Sequence, residues 1–390
     1  MRVATATAWS QWAEREGARI RADGRWREVR DFDGSGPHGR VREGDGFRSV
    51  VSFASNDYLG LSSHPAVVAA AHDALDRWGA GSGSARLVTG SRPVHSELEA
   101  ELAEWKGTER AALFPTGFAA NLGVLTAMGI AGTRILSDER NHASIVDGCR
   151  LARADVTVYP HGDVGYVERS LRQPGRTMVV TDAVFSMDGD AAPVAELAEA
   201  CQRHGALLVL DEAHAVLSPE PDLGDCQVLR VGTLSKTLGS LGGYVAGPAG
   251  LVDLLVNLAR PYIYTTASTP ADTAAALAAV RVARSAEGEE LRSRLRANVE
   301  LLAPGHPSPI VTVVLGEEGR AMDASRRLLD QGLLVPAIRP PTVPAHGSRL
   351  RITLSAEHQR AEVERIVSAL AVLAALGRDD LPGGAEPAQT

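Results

Sequence analysis

Between residues 110 and 246 short apolar runs alternate with helix-like stretches, and no other feature of the sequence restricts the fold as much. Residues 110–114, 133–137, 156–159, 177–181, 206–210, 228–232 and 243–246 read as strands. Segments 116–128 and 193–204, and a third opening at Asn141-His-Ala-Ser144, read as helices. The run Ala206-Leu-Leu-Val-Leu210 is apolar at every position and offers no face to water. Strands of this kind are buried on both sides. They predict an α/β fold with a mainly parallel central sheet and helices on both faces. Ligands of such sheets sit beyond the carboxyl ends of the strands. Thr181-Asp182, Asp211 and Lys236 all fall just past such ends.

The flanking sequence has a different pattern. Residues 9–18 read as a helix, and 31–48, rich in Gly, Asp and Arg, as a hairpin or loop. Residues 49–53 are a strand candidate. His64-Pro65 opens a helix towards Trp78, and 91–106 is another. Beyond Pro270, helices over 270–285 and 288–302 precede strands over 309–315, 333–335 and 348–354, with helices over 321–331 and 361–376. This order predicts an N-terminal segment over 1–48 and a large domain over 49–265. A smaller α+β domain over 266–377 and a disordered tail over 378–390 complete the expectation. A length of 390 residues suits two domains better than one core.

Composition excludes several classes. A net charge of −8 leaves no broad basic face, so no nucleic-acid partner is expected. No window of about eighteen apolar residues spans a bilayer, and no charged leader precedes an apolar core. Cys149, Cys201 and Cys226 are scattered and odd in number. That fits a reducing cytosol and gives no zinc spacing, so a cytoplasmic protein without a metal is expected.

Basic charge is carried almost wholly by arginine, yet a lysine stands in Gly232-Thr-Leu-Ser-Lys-Thr-Leu-Gly239. Arginine stays protonated at any working pH and cannot serve as a nucleophilic amine. A buried lysine can. An isolated lysine in a loop is more often a solvated surface group, so its neighbours decide. Asp211-Glu-Ala-His214 follows a buried strand 25 residues earlier. A carboxylate there needs a cation or a donor, and a protonated pyridine nitrogen would be one.

Pyridoxal phosphate asks a protein for a lysine, an acid facing the ring nitrogen, and donors for the phosphate. Lys236 and Asp211 meet the first two. Backbone amides at Gly117 and Phe118, at a helix start, would meet the third. Hydroxyls of Thr233 and of Thr265 or Thr266 could add donors. His142 could stack on the ring, and His214 could bond its phenolic oxygen. His64, His72, His204 and His306 have no partner motif and read as structural or exposed. Ser84 and His95 read equally well as site supports or as helix caps. Glu212 reads as a local cap or ion-pair partner.

These motifs together resemble the α-oxoamine synthases, a family of fold-type I pyridoxal-phosphate enzymes. The matching segments include Ser55-Asn-Asp-Tyr-Leu-Gly60, Gly81-Ser-Gly-Ser-Ala-Arg-Leu-Val-Thr-Gly90, Thr116-Gly-Phe118, Asn141-His-Ala-Ser144 and Val184-Phe-Ser-Met-Asp-Gly189. They continue through Asp211-Glu-Ala-His214, Thr233-Leu-Ser-Lys236, Pro341-Thr-Val-Pro344 and Arg349-Leu-Arg-Ile-Thr-Leu-Ser355. Their order covers roughly residues 50–360. The resemblance implies that Lys236 carries the cofactor and that Asp211 pairs with its ring nitrogen. His142 would stack on the ring, with His214 and Ser186 on its oxygen side, and Gly117, Phe118 and Thr233 would hold phosphate.

Thr265 and Thr266 resemble the family's phosphate contact from a second subunit, which implies a homodimer with shared sites. Arg349 resembles the arginine that holds the amino-acid carboxylate, with Asn56 near it. Arg349 and Arg351 are expected on opposite faces of their strand, one in the site and one in a structural ion pair. The stretch Ile338-Arg-Pro-Pro-Thr-Val-Pro344 resembles most the branch that condenses L-alanine with pimeloyl-CoA or pimeloyl-ACP. A relative using glycine and a shorter acyl thioester is the enzymatic alternative. A non-catalytic binding protein would be expected to lack Lys236, Asp211 or Arg349, and all are present.

Overall fold

A computed structural model describes residues 7–379. Most of the expected tail, from residue 380 onward, lies outside the described residues. The chain opens with α1 (Ala8–Ala22), capped where the Ser10 amide donates to the Thr7 hydroxyl, and a meander of β1 (Phe32–Ser35), β2 (His38–Glu43) and β3 (Gly46–Ser52). The region expected as a hairpin or loop is thus three paired strands. Next come α2 (Pro65–Trp78) and α3 (Pro93–Trp105). Each begins with proline, whose missing N–H would have had no helical partner there.

Alternation then sets in: β4 (Arg110–Phe114), α4 (Gly117–Met128), β5 (Thr133–Asp138), α5 (Ala143–Leu151), β6 (Asp155–Tyr159) and α6 (Val164–Leu171). It continues with β7 (Arg176–Asp182), α7 (Val194–His204), β8 (Leu207–Asp211), β9 (Val228–Thr233) and β10 (Gly243–Gly247). The C-terminal part comprises α8 (Ala249–Leu258), α9 (Arg260–Ile263), α10 (Pro270–Arg284), α11 (Ala286–Leu302), β11 (Ile310–Gly316) and α12 (Glu318–Asp330). It ends with β12 (Leu333–Leu334), β13 (Ala337–Ile338), β14 (Ser348–Thr353) and α13 (Arg360–Asp379).

The central sheet has seven strands in the order β4-β10-β9-β8-β7-β5-β6. β10 runs antiparallel to both neighbours, and the five strands from β9 to β6 are parallel. Side chains of a strand alternate between faces, and here both faces are apolar. Ile135, Met178, Val180, Val209 and Leu229 pack with α4, α5 and α8 on one side. Leu136, Val179, Leu208 and Leu210 pack with α6 and α7 on the other. The apolar runs legible in the sequence are the consequence of that double cover.

Two smaller sheets flank the large one. β11-β14-β13 is antiparallel, and β12 adds in parallel to β3, extending the N-terminal meander. The stretch after β3 runs beside the end of β14. The Thr353 amide donates to the Phe53 carbonyl, and the Ala356 amide to that of Tyr58. This docking carries Asn56 and Tyr58 towards the carboxyl ends of the central strands.

Candidate active site

Register places Asp182 beside Asp211 at the ends of β7 and β8. Both carboxylates are buried. The Asp211 oxygens accept from the Ala213 amide at 2.9 Å and from Asn121 Nδ2 at 2.6 Å. Asn121, on α4, also donates to Ser144 Oγ at 2.9 Å. Asp182 accepts from the His142 amide at 2.8 Å. Burial, and next the charge of Asp211, push the Asp182 carboxyl well above the usual range. Two adjacent buried carboxylates do not both ionise readily.

Beyond β9 the chain folds into a closed loop, with the Leu234 amide donating to the Gly242 carbonyl and the Ser240 amide to that of Leu234. Gly239 has a φ of 58°, and a Cβ there would lie 2.2 Å from the Ser62 amide nitrogen. The loop delivers Lys236 to the pocket, where Nζ lies 2.9 Å from His214 Nε2. Burial lowers the Lys236 pKa, opposed by the carboxylates of Asp211 and Asp182 and assisted by Arg351. The amine and Asp211 therefore share one electrostatic environment. The other lysine, Lys106, pairs with Glu212 at 2.8 Å beside Arg230. Glu212 is thus an ion-pair partner, as expected.

His214 is buried, and burial, then the charges of Lys236 and Arg351, hold its imidazole well below the usual pKa. Its Nδ1 lies 2.5 Å from the Tyr58 hydroxyl. Tyr58 in turn donates to Asn56 Oδ1 at 3.1 Å, which also accepts from Arg351 Nη2 at 3.1 Å. A continuous polar chain therefore links Lys236, His214, Tyr58, Asn56 and Arg351.

His142 caps α5 with Nδ1 towards Ser144 Oγ at 2.8 Å. Its ring meets Phe118 edge-on, with centroids 6.4 Å apart. Burial lowers its pKa, with Asp211 opposing and Lys236 adding to the effect.

The start of α4 completes the pocket. Thr116 Oγ1 accepts from the Ala119 amide, which leaves the Gly117 and Phe118 amides as the unpaired donors that every helix start presents. Thr233 Oγ1 lies 2.8 Å from Ser235 Oγ. A Cβ on Gly117 would approach Thr233 Cβ to 3.2 Å, so glycine lets the helix start close on that hydroxyl. An amine, a carboxylate, an imidazole and a helix start flanked by hydroxyls are the donor set that pyridoxal phosphate requires. The residues fit the group.

Two expectations need correction. Arg349 and Arg351 do not face opposite ways, because residues two apart on a strand share a face. Both reach the turn at 184–190, but at different points. Arg349 is taken up by Asp188 at 2.5 Å and by the Met187 carbonyl at 2.9 Å. Arg351 donates to the Ser186 carbonyl at 2.7 Å and to Asn56, and its charge acts on His214 and Lys236. The structure therefore brings Arg351, not Arg349, to the lysine. Ser186 joins the site through that carbonyl.

Thr265 and Thr266 follow α9, beside Arg86, His95 and Pro115; no hydrogen bond ties them to Lys236 or Thr233 among the described residues. His95 is a buried cap of α3, accepting from the Arg92 amide and facing the Ser268 carbonyl. His64 caps α2 and His306 folds onto Ser308. Sequence reasoning missed Tyr58, Asn121 and Ser144, and it weighed Arg351 but chose Arg349 for the site. Tyr58 stood inside a matching motif, and Arg351 one strand repeat from the chosen arginine.

The model of the family "aminotransferase class I and II" matches residues 48–370. The chain is 49% identical over 349 residues to an 8-amino-7-oxononanoate synthase of Anaeromyxobacter dehalogenans, covering 84% of this chain and 87% of the relative. Serine palmitoyltransferase from S. paucimobilis, solved with a bound PLP–myriocin adduct, superposes with a TM-score of 0.85 at 28% identity, over 95% of this chain and 100% of that one. An 8-amino-7-oxononanoate synthase of Francisella tularensis superposes with a TM-score of 0.71 at 25% identity, over 85% and 98%. The chain belongs to the class I and II aminotransferase family and, within it, to the α-oxoamine synthases.

Proposed function

We propose that this chain is a pyridoxal-phosphate-dependent acyltransferase that condenses L-alanine with a pimeloyl thioester. The products are 8-amino-7-oxononanoate, carbon dioxide and free thiol, a step of biotin biosynthesis. The observation that carries the proposal is the convergence of half-buried Lys236 with buried His214, Asp211 and Arg351. When bound, pyridoxal phosphate supplies the electron sink for the carbon next to the amino group.

The protein's own groups do the rest. Asp211, held by Asn121 and the Ala213 amide, would keep the ring nitrogen protonated. His142 would cover the ring face, and His214 would face its oxygen side. The Gly117 and Phe118 amides and the Thr233 hydroxyl would hold the phosphate. Arg351 binds the alanine carboxylate, with Asn56 steadying the guanidinium. Lys236 Nζ, whose pKa burial lowers, takes the α-proton and later returns one. A new bond joins the alanine α-carbon to the acyl carbon as thiol leaves, and carbon dioxide departs afterwards. In this reading residues 49–265 carry the cofactor and residues 266–377 supply the arginine.

Serine palmitoyltransferase superposes better than the Francisella enzyme, but identity of 49% against 28% favours the alanine-using branch. Thr265 and Thr266, which lie beside Arg86 and His95 with no hydrogen bond to Lys236 among the described residues, suit a role across a homodimer interface. No helix among the described residues is long and apolar enough to cross a membrane. The free cysteines suit a cytoplasmic setting. The carrier of the acyl group is coenzyme A or an acyl carrier protein.

The test pairs L-alanine, glycine or L-serine with pimeloyl, acetyl or palmitoyl thioesters and measures thiol release. Alanine with the pimeloyl donor should dominate, and preferred turnover of glycine or serine would overturn the assignment. Lys236→Ala should abolish release. Borohydride reduction of the wild type should leave its label on the peptide containing Lys236.

A further inference from the structure

We propose that His161 is a positioning residue for the amino-acid substrate: its imidazole clasps the 184–190 turn to the end of β5 and so sets the Ser186 carbonyl that aims Arg351. The proposal rests on the reading of Arg351 as the carboxylate-binding group.

The geometry is a three-part clasp. His161 Nδ1 lies 3.0 Å from Asp138 Oδ1, and Nε2 lies 2.6 Å from Asp190 Oδ2. Asp138 ends β5 and is almost wholly buried. Its carboxylate also accepts the Arg140 amide at 2.8 Å and the Gly162 amide at 2.9 Å, so it is a fixed post. Asp190 closes the turn, with the Phe185 amide donating to the Asp190 carbonyl and the Gly189 amide to that of Phe185. The ring edge of His161 also meets Phe185, with centroids 4.4 Å apart. At the tip of this turn stands the Ser186 carbonyl that accepts from Arg351 Nε.

Both ring nitrogens face carboxylate oxygens, which only accept. Satisfying both requires two N–H groups, hence the imidazolium. Burial opposes that charge, but the hydrogen bonds that the ring donates to Asp138 and Asp190 outweigh it and raise the pKa. These two carboxylates are the charged groups that face the ring, one from β5 and one from the turn. Loss of the proton would leave one carboxylate without its donor and loosen the turn beneath Arg351. Among the described residues His161, Asp138 and Asp190 make no side-chain hydrogen bond to Lys236, His142, His214 or Asp211, so the effect should reach amino-acid binding rather than cofactor retention.

The experiment titrates holoenzyme with L-alanine, without acyl donor, and follows the absorbance of the bound cofactor. His161→Gln and Asp190→Asn should each raise the alanine Kd about tenfold, as a displaced substrate clamp does. Cofactor content and the KM for the acyl thioester should hold. The wild-type Kd should rise as pH passes above the raised pKa of His161, and His161→Gln should lose that rise. Should His161→Gln fail to fold, Asp190→Asn carries the test, since its side chain is partly exposed. Folded, cofactor-loaded variants with an unchanged Kd and pH profile overturn the proposal. A wild type that binds no L-alanine overturns the functional reading on which it stands.

Discussion

The Tyr58 hydroxyl lies 2.5 Å from Nδ1 of His214, while Nε2 of the same ring lies 2.9 Å from the Lys236 amine. One buried imidazole is thus fixed from both ends, and the tyrosine sets how it meets the lysine. Tyr58→Phe removes the only hydroxyl of that contact and strands a buried ring nitrogen. The expected loss of stability is about 1–3 kcal/mol, read as a lower urea midpoint of the holoenzyme. Turnover should fall roughly tenfold or more, because Lys236 loses an oriented partner. A variant with wild-type midpoint and kcat would show that the contact is incidental.

The two arginines of β14 should separate cleanly. Arg351→Gln removes charge-assisted bonds worth about 1.5–3 kcal/mol, or about 10- to 150-fold in the KM for L-alanine. Arg349→Gln strips Asp188 and the Met187 carbonyl of their donor. It should lower the melting temperature while moving that KM far less. Steady-state kinetics and calorimetry on both variants decide. The opposite pattern would return the carboxylate to Arg349.

Those arginines also show where the sequence stops being informative. The central sheet was legible because its strands are apolar on both faces, as at Ala206-Leu-Leu-Val-Leu210. Helix starts were legible at Pro65, Thr116 and Pro270, where proline or a capping hydroxyl marks the first turn. The short helix α6 was missed because only Val167 and Leu171 are buried in it. α8 and α9 also lacked a clear signal, and β13 is two residues long. Within the site, Lys236, Asp211 and His142 follow strand ends or a helix cap and could be placed from local pattern. The Tyr58–His214 contact spans 156 positions and leaves no local trace. Choosing between Arg349 and Arg351 depends on where a turn from another part of the chain presents its carbonyls.

Asp182 predicts a pH dependence of stability. Its folded-state pKa is raised, by burial first and by Asp211 next. A raised pKa means that the folded state holds its proton longer than the unfolded state. The contribution to stability is full below the usual carboxylate pKa and is lost as pH rises through the folded value. Asp182→Asn keeps an acceptor for the His142 amide and cannot ionise. In cofactor-free protein the variant should therefore gain on the wild type as pH rises from about 4. Melting curves of both proteins across pH give the difference directly. A flat difference would mean that Asp182 ionises normally in the fold.

Gly243 tests the phosphate cradle from behind. It starts β10, pairs with Phe114 and Thr233, and lies against the backbone of the α4 start. A Cβ there would sit 2.4 Å from the Thr116 carbonyl carbon and oxygen and 2.5 Å from the Gly117 amide nitrogen. Those are backbone atoms, so the clash cannot be relieved by turning a side chain. Gly243→Ala must push the first turn of α4 away from Thr233, at about 1–3 kcal/mol of overpacking. The amides of Gly117 and Phe118 would shift with it, and affinity for pyridoxal phosphate should fall about 5- to 150-fold. Gly250→Ala is the control: it lies in α8, and a Cβ there would meet nothing within 4 Å. That variant should bind the cofactor normally and be as stable as the wild type or slightly more so. Equilibrium dialysis of both variants against pyridoxal phosphate makes the comparison. Undiminished affinity in Gly243→Ala would place the phosphate somewhere other than the start of α4.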